Sequence, residues 1–259
     1  VDAPLPDAAP TFAGYHEEHG AGEPLLLLHG GFCSLEPMRE LGDLLAVQHR
    51  VLAAERPGHG RTPDTDGPYD YAEMVAGALA HLDALGVRSA HVVGYSDGGI
   101  VGLLLARDHP GRVRSLVAIS ANLHPDAWVP DDYPHVTMPA AAHAAVDEEY
   151  ARLSPDGAAH AEVVIAKLRA LWTSGPQIPA DSLAAVVAPT LVMAGEHDAV
   201  ARAHTESIAA AVPGAGLMIV PGTTHMVVRE RPDVVAAAVL AHTGSGSGPD
   251  GVPRGDRAR

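Results

Sequence analysis

Short, almost unbroken apolar runs recur along the chain at 25–28, 51–54, 90–93, 113–119, 190–194 and 217–220. Runs of this length without polar alternation read as strands covered on both faces, as in a parallel sheet. Between them, Pro37 to Val47, Tyr71 to Leu85, Gly98 to His109 and Arg202 to Val212 carry apolar residues at helical spacing. The connections are short, as strand–helix units require. The alternation predicts an α/β fold: a mostly parallel central sheet with helices on both faces.

After Ser120-Ala121-Asn122 the regularity breaks, and a stretch rich in His, Pro and Asp continues to about Val187. The expected organisation is a first core part over 1–121, a small helical lid over 122–187, a second core part over 188–243 and a disordered, glycine-rich tail over 244–259. Lid helices are predicted at Ala140 to Leu153, Gly157 to Thr173 and Asp181 to Val187, separated by Pro155 and by Gly175-Pro176-Gln177-Ile178-Pro179. Such an insertion would cover the strand ends, where open α/β sheets bind ligands. Trp128, Tyr133, Met138 and Trp172 fall within it and are expected to line a substrate pocket, although lid–core packing explains them equally well.

Gly94-Tyr95-Ser96-Asp97-Gly98 stands between the strand-like run at 90–93 and the helical pattern that follows. A sharp strand-to-helix turn strains the backbone of its central residue and leaves no room for side chains beside it, which is what the flanking glycines supply. Ser96 would then project from the turn, with the first N–H groups of the helix aimed at the same place. A serine hydroxyl is a weak nucleophile at neutral pH, so its partners decide the reading. Asp198 follows the strand-like Thr190 to Gly195 and is the expected acid; His225 follows Leu217 to Val220 and is the expected base. The plainer readings are a helix N-cap for Asp198 and a locally bonded loop histidine for His225. Glu196 is the rival acid.

Upstream, Pro24 to Leu28 ends in His29-Gly30-Gly31-Phe32, and Val51 to Ala54 leads into Glu55-Arg56-Pro57-Gly58-His59-Gly60-Arg61-Thr62. With Ser96, Asp198 and His225 in that order, these motifs resemble the α/β-hydrolase superfamily over nearly all of residues 11–243. Glu55 departs from the commoner aspartate, in a loop expected to be structural. The resemblance implies a serine hydrolase that cleaves an ester-type bond of a small molecule through an acyl-enzyme. The oxyanion would be held by the backbone N–H of Asp97 and by that of Gly31 or Phe32. No cofactor is implied. The elbow and Ala118 to Asn122 are also similar to the valacyclovirase-like (biphenyl hydrolase-like) hydrolases, which implies that Asp97 contacts a substrate amino group; Tyr95, beside Ser96 in the elbow, is also expected to bind substrate. Without such a partner, a carboxylate beside an oxyanion would oppose the developing charge. Thioester, lactone or C–C hydrolysis, a non-hydrolytic lyase or cyclase, and a catalytically silent binding protein use the same fold.

Composition narrows the partners. The formal net charge is −15 and the only basic cluster is Arg254, Arg257 and Arg259, so nucleic acid is not expected. No apolar stretch is long enough to span a membrane. The 16 histidines form neither a His-Glu-x-x-His helix nor paired Cys/His spacing, so no metal is expected. Cys33, the single cysteine, rules out an internal disulfide, reads as a packing residue, and fits a reducing cytoplasm as the expected compartment. The start at Val1, without methionine, leaves a removed leader open.

Overall fold

The computed structural model describes residues 14–129 and 140–244. Seven strands, β1 (His16–His19), β2 (Glu23–Leu28), β3 (His49–Ala54), β4 (Ala90–Tyr95), β5 (Val113–Ile119), β6 (Thr190–His197) and β7 (Gly216–Thr224), form one sheet in the order β1-β3-β2-β4-β5-β6-β7. All neighbours are parallel except β1 and β3. The helices are α1 (Arg39–Leu45), α2 (Tyr71–Ala84), α3 (Asp97–Asp108), α4 (Ala140–Leu153), α5 (Ala161–Ser174), α6 (Arg202–Ala211), α7 (Val227–Glu230) and α8 (Pro232–Gly244).

Successive strand residues face opposite sides of the sheet, and each side has its own core. Leu26, Leu28, Leu52, Val92, Leu116 and Val192 pack with Val75 and Leu82 of α2, Leu103 of α3 and Ile208 of α6. Leu25, Leu27, Val51, Val93, Val117 and Met193 pack with Leu41 of α1, Val227 of α7 and Val235 of α8. This two-sided burial explains the unbroken apolar runs. The chain crosses between these layers at the carboxyl ends of the parallel strands, so the loops after β2, β4, β5, β6 and β7 gather at one edge.

The structure differs from the sequence-based expectations at five points. Strand β1 was not foreseen, because His16-Glu17-Glu18-His19 carries no apolar alternation; it is an edge strand, held by β3 and by Arg39 on Glu17 and Arg50 on Glu18. Strands β6 and β7 run on to His197 and Thr224, so the loops expected at 196–198 and 221–226 shrink to their last residues. The helix expected over Asp181 to Val187 is a short 3-10 segment at Ala180–Ala185. Ile178, Leu183 and Val186 are buried with α3 and β5 residues, so the end of the expected lid packs as core. Gly244 closes α8 rather than opening a tail, and 245–259 lie outside the described residues.

The insertion itself has a small core of Tyr150, Val164 and Leu168, against which Phe32, Tyr69 and Trp172 pack. Polar anchors fix it to the sheet side. Asp64 accepts from Lys167 Nζ at 2.7 Å, His160 Nε2 at 2.9 Å and Tyr69 Oη at 2.8 Å, while Glu149 accepts from the Ser34 hydroxyl at 2.5 Å. Among the described residues no helix is long and apolar enough to cross a membrane.

Candidate active site

Strand β4 ends at Tyr95 and α3 begins at Asp97, leaving Ser96 alone in the turn with φ 53° and ψ −118°. Its N–H donates to Ile119 O at 2.8 Å, and its carbonyl accepts from Gly99 and Ile100 at 2.8 and 3.0 Å. These bonds hold a conformation that a serine would otherwise leave. The flanking glycines are required: a Cβ on Gly94 would collide with the Gly98 carbonyl, and one on Gly98 with the Leu28 carbonyl.

The Ser96 hydroxyl meets His225 Nε2 at 3.0 Å, and His225 Nδ1 meets Asp198 Oδ1 at 2.7 Å. A carboxylate only accepts, so Nδ1 carries the proton and Nε2 is left to accept from serine. Asp198 is buried and fully engaged: Oδ1 also accepts from Val200 N at 2.9 Å, and Oδ2 from Ser120 Oγ at 2.6 Å and Gly195 N at 3.3 Å. Burial alone would raise its pKa, but His225 and these donors hold it below the ordinary carboxylate value. Burial likewise pulls His225 down, and the Asp198 charge and hydrogen bond outweigh it, leaving the imidazole above its ordinary value. The N-cap alternative for Asp198 does not hold, because Ala201 precedes α6 and no side chain caps it. Glu196 is exposed and accepts from Gly222 N.

Asp97 is buried beside Ser96 and already has partners. Tyr71 Oη donates to Oδ1 at 3.0 Å, and the Trp172 indole N–H reaches Oδ1 and Oδ2 at 3.1 Å each. The compensating donor expected from a substrate amine is thus supplied by α2 and α5. Gly31 lies against the same pair: a Cβ there would collide with Asp97 Oδ2 and stand 2.5 Å from Trp172 Cζ2. Phe32 has φ 47°, and its ring stacks on Tyr150 at 5.3 Å.

The remaining expectations divide. Trp128 is pinned by a bridge to Val200 and sets its ring 5.5 Å from that of His225. Tyr95 is corrected: it is 2 % exposed, its ring lies behind His225 at 5.4 Å, and its hydroxyl donates to Met226 Sδ at 3.2 Å, so it is core and not a substrate contact. Tyr133 and Met138 lie outside the described residues. Cys33 is partly buried against the core that includes Leu25 and Leu27, and desolvation pushes its thiol up to about 12, in keeping with packing. Glu55 is structural, as expected: it is wholly buried and accepts from the backbone N–H groups of Leu35 and Arg61 at 3.0 and 2.5 Å. Sequence reasoning missed Ser120 and Tyr71, the partners of the two buried carboxylates. A polar residue at the end of an apolar strand was the only signal for Ser120, and Tyr71 had none. Among the described residues no group of three or more His, Cys, Asp or Glu could hold a metal ion. A cavity of about 360 Å³ opens beyond the 55–65 loop, lined by Leu28, Arg56, Met74 and Val101, with none of Ser96, Asp198 or His225 in its wall.

The family model described as "Alpha/beta hydrolase family" matches residues 25–238, spanning every element of this site. The chain belongs to the α/β-hydrolase family. Over 254 residues this hydrolase is 30% identical to the "Putative carbamate hydrolase RutD" of Azorhizobium caulinodans, covering 89% of this chain and 94% of that one. Over 104 residues it is 40% identical to the "Rhodomycin D methylesterase DnrP" of Streptomyces peucetius, covering 38% of this chain and 35% of that one. Among solved structures, a hydrolase from Pseudomonas aeruginosa superposes with TM-score 0.71 at 27% identity, covering 88% of this chain and 93% of that one. An enol-lactonase from Burkholderia xenovorans superposes with TM-score 0.75 at 20% identity, covering 89% and 96%, a likeness of fold.

Proposed function

We propose that this hydrolase is a serine hydrolase that cleaves an ester-type bond of a small molecule by acyl transfer. The observation that carries the reading is the unbroken chain from Asp198 through His225 to the Ser96 hydroxyl, with serine held at positive φ on the strand–helix turn. His225 Nε2 takes the proton as Ser96 Oγ attacks the carbonyl, and Asp198 fixes the tautomer and stabilises the imidazolium. The tetrahedral oxyanion is held by the Asp97 N–H at the start of α3 and by a donor from the Gly31–Phe32 loop, each such donor contributing about 3 kcal/mol. His225 then protonates the leaving group, and water repeats the sequence on the acyl-enzyme. The α4–α5 insertion acts as a lid over this edge. The carbamate, methyl ester and lactone named for similar proteins all offer an acyl carbonyl to such a nucleophile.

The experiment is hydrolysis of a matched panel of p-nitrophenyl acyl esters, carbamates and amino-acid esters by wild type and Ser96→Ala, with fluorophosphonate labelling of both. Turnover and labelling that vanish in Ser96→Ala are expected. Turnover retained by Ser96→Ala would remove serine from the mechanism, and product formed without water incorporation would favour a lyase or cyclase.

A further inference from the structure

Arg56 follows β3 and reaches back to the loop after β2. Its Nη1 donates to the His29 carbonyl at 2.7 Å, its Nη2 to the Gly30 carbonyl at 2.8 Å, and its backbone N–H to His29 Nε2 at 3.1 Å. His29 is completely buried, and its Nδ1 meets the Gly30 carbonyl at 2.7 Å. A carbonyl only accepts and a backbone N–H only donates, so His29 is neutral with its proton on Nδ1. The Gly30 carbonyl is therefore gripped by two donors. In a planar trans peptide, the carbonyl of one residue and the N–H of the next point in opposite directions. Holding Gly30 O on Arg56 turns the Gly31 N–H away from the guanidinium. Gly30 borders the elbow, where a Cβ would come within 3.3 Å of Ser96 Cβ. Among the described residues no side chain grips the Gly31 carbonyl in this way, so the Phe32 N–H has no such brace.

We propose that Arg56 is a positioning residue: by clamping the His29 and Gly30 carbonyls it aims the Gly31 N–H, rather than that of Phe32, at the oxyanion. This rests on the acyl-transfer reading above. The clamp needs two donors in a fixed fork, which lysine lacks. Arg56→Lys therefore lowers kcat by roughly 10- to 100-fold with KM within about threefold, and slows phosphonylation of Ser96 in parallel. In Arg56→Ala the vacated space adjoins the cavity of about 360 Å³ that Arg56 lines, so added guanidinium ion restores part of kcat and ammonium does not. In wild-type protein treated with a boronic acid, the amide protons of Gly31 and Asp97 move downfield in ¹H–¹⁵N spectra.

An Arg56→Lys enzyme with unchanged kcat, or with only KM raised, overturns the proposal, as does displacement of Phe32 in place of Gly31. The spectra decide between Gly31 and Phe32 on the wild-type protein alone, and displacement of Phe32 overturns the proposal whatever the Arg56 variants do. Failure of the underlying reading has a separate signature, which is Ser96→Ala as active as wild type and no boronate adduct.

Discussion

Trp172 on α5 gives its indole N–H to both carboxylate oxygens of Asp97, at 3.1 Å each, so the helical insertion grips the residue next to Ser96 through one side chain. Trp172→Phe keeps most of the ring volume and deletes that donor, leaving a buried carboxylate with Tyr71. The expected loss is about 1–2 kcal/mol of stability in urea unfolding, accompanied by lower kcat/KM. Unchanged stability and activity would mean that water replaces the indole.

The pH dependence follows from His225. Its pKa is held above the ordinary 6.5 by Asp198, and Asp97 also contributes in that direction. In the acyl-transfer mechanism proposed above the free base is the active form, so kcat/KM is expected to fall as pH drops through a midpoint above that value. Removing the Asp97 charge weakens the hold on the imidazolium, and Asp97→Asn moves the acid limb to lower pH. A limb that stays in place would show that Asp97 is screened from His225.

Gly31→Ala tests the tight packing against Asp97 and Trp172. With a Cβ 2.5 Å from Trp172 Cζ2, either the loop or the indole must shift. The variant is expected to lose at least about tenfold in kcat, with a stability cost of about 1–3 kcal/mol from overpacking. Near wild-type kcat would show that the insertion yields freely.

Asp64 anchors the insertion through Lys167 and His160 and also accepts from the neighbouring Tyr69 hydroxyl. Burial pushes its carboxyl upward, and these donors overcome it, bringing the pKa to about 2 from 3.8. A depressed carboxylate stabilises the fold above its unfolded pKa, and that contribution fades as pH falls through the folded value. Asp64→Asn should therefore cost about 1–3 kcal/mol at neutral pH, discounted for partial solvation, with the difference from wild type shrinking between about pH 4 and pH 2. Thermal melting across that range measures it, and a pH-independent difference would assign the loss to packing.

Tyr95→Phe addresses the residue that sequence placed at the substrate and the structure buries. Its hydroxyl donates to a thioether sulfur, a weak acceptor, at 3.2 Å. Stability should change by no more than about 1 kcal/mol, and KM across the ester panel should not change. A KM raised several-fold would return Tyr95 to the substrate side.

What the chain determined by itself was whatever is written in consecutive residues. The apolar runs gave six of the seven strands, because a strand covered on both faces has no polar alternate to obscure it. The elbow was readable because Gly94 and Gly98 answer a local steric demand around Ser96, and Asp198 and His225 stood out as the proposed acid and base because each follows a strand end in order. Residues whose roles depend on distant partners were not readable. Ser96 and His225 stand 129 positions apart, and only the stacking of β4, β5, β6 and β7 brings their side chains to 3.0 Å. The same holds for Tyr71 and Trp172 on Asp97, for Ser120 on Asp198 and for Arg56 on the His29 loop. In each case a buried polar group must find a donor, and the fold alone decides which helix or strand supplies it. Strand β1 escaped for the complementary reason: an edge strand facing water needs backbone partners and no apolar side chains, so the pairing with β3 exists only in the assembled sheet.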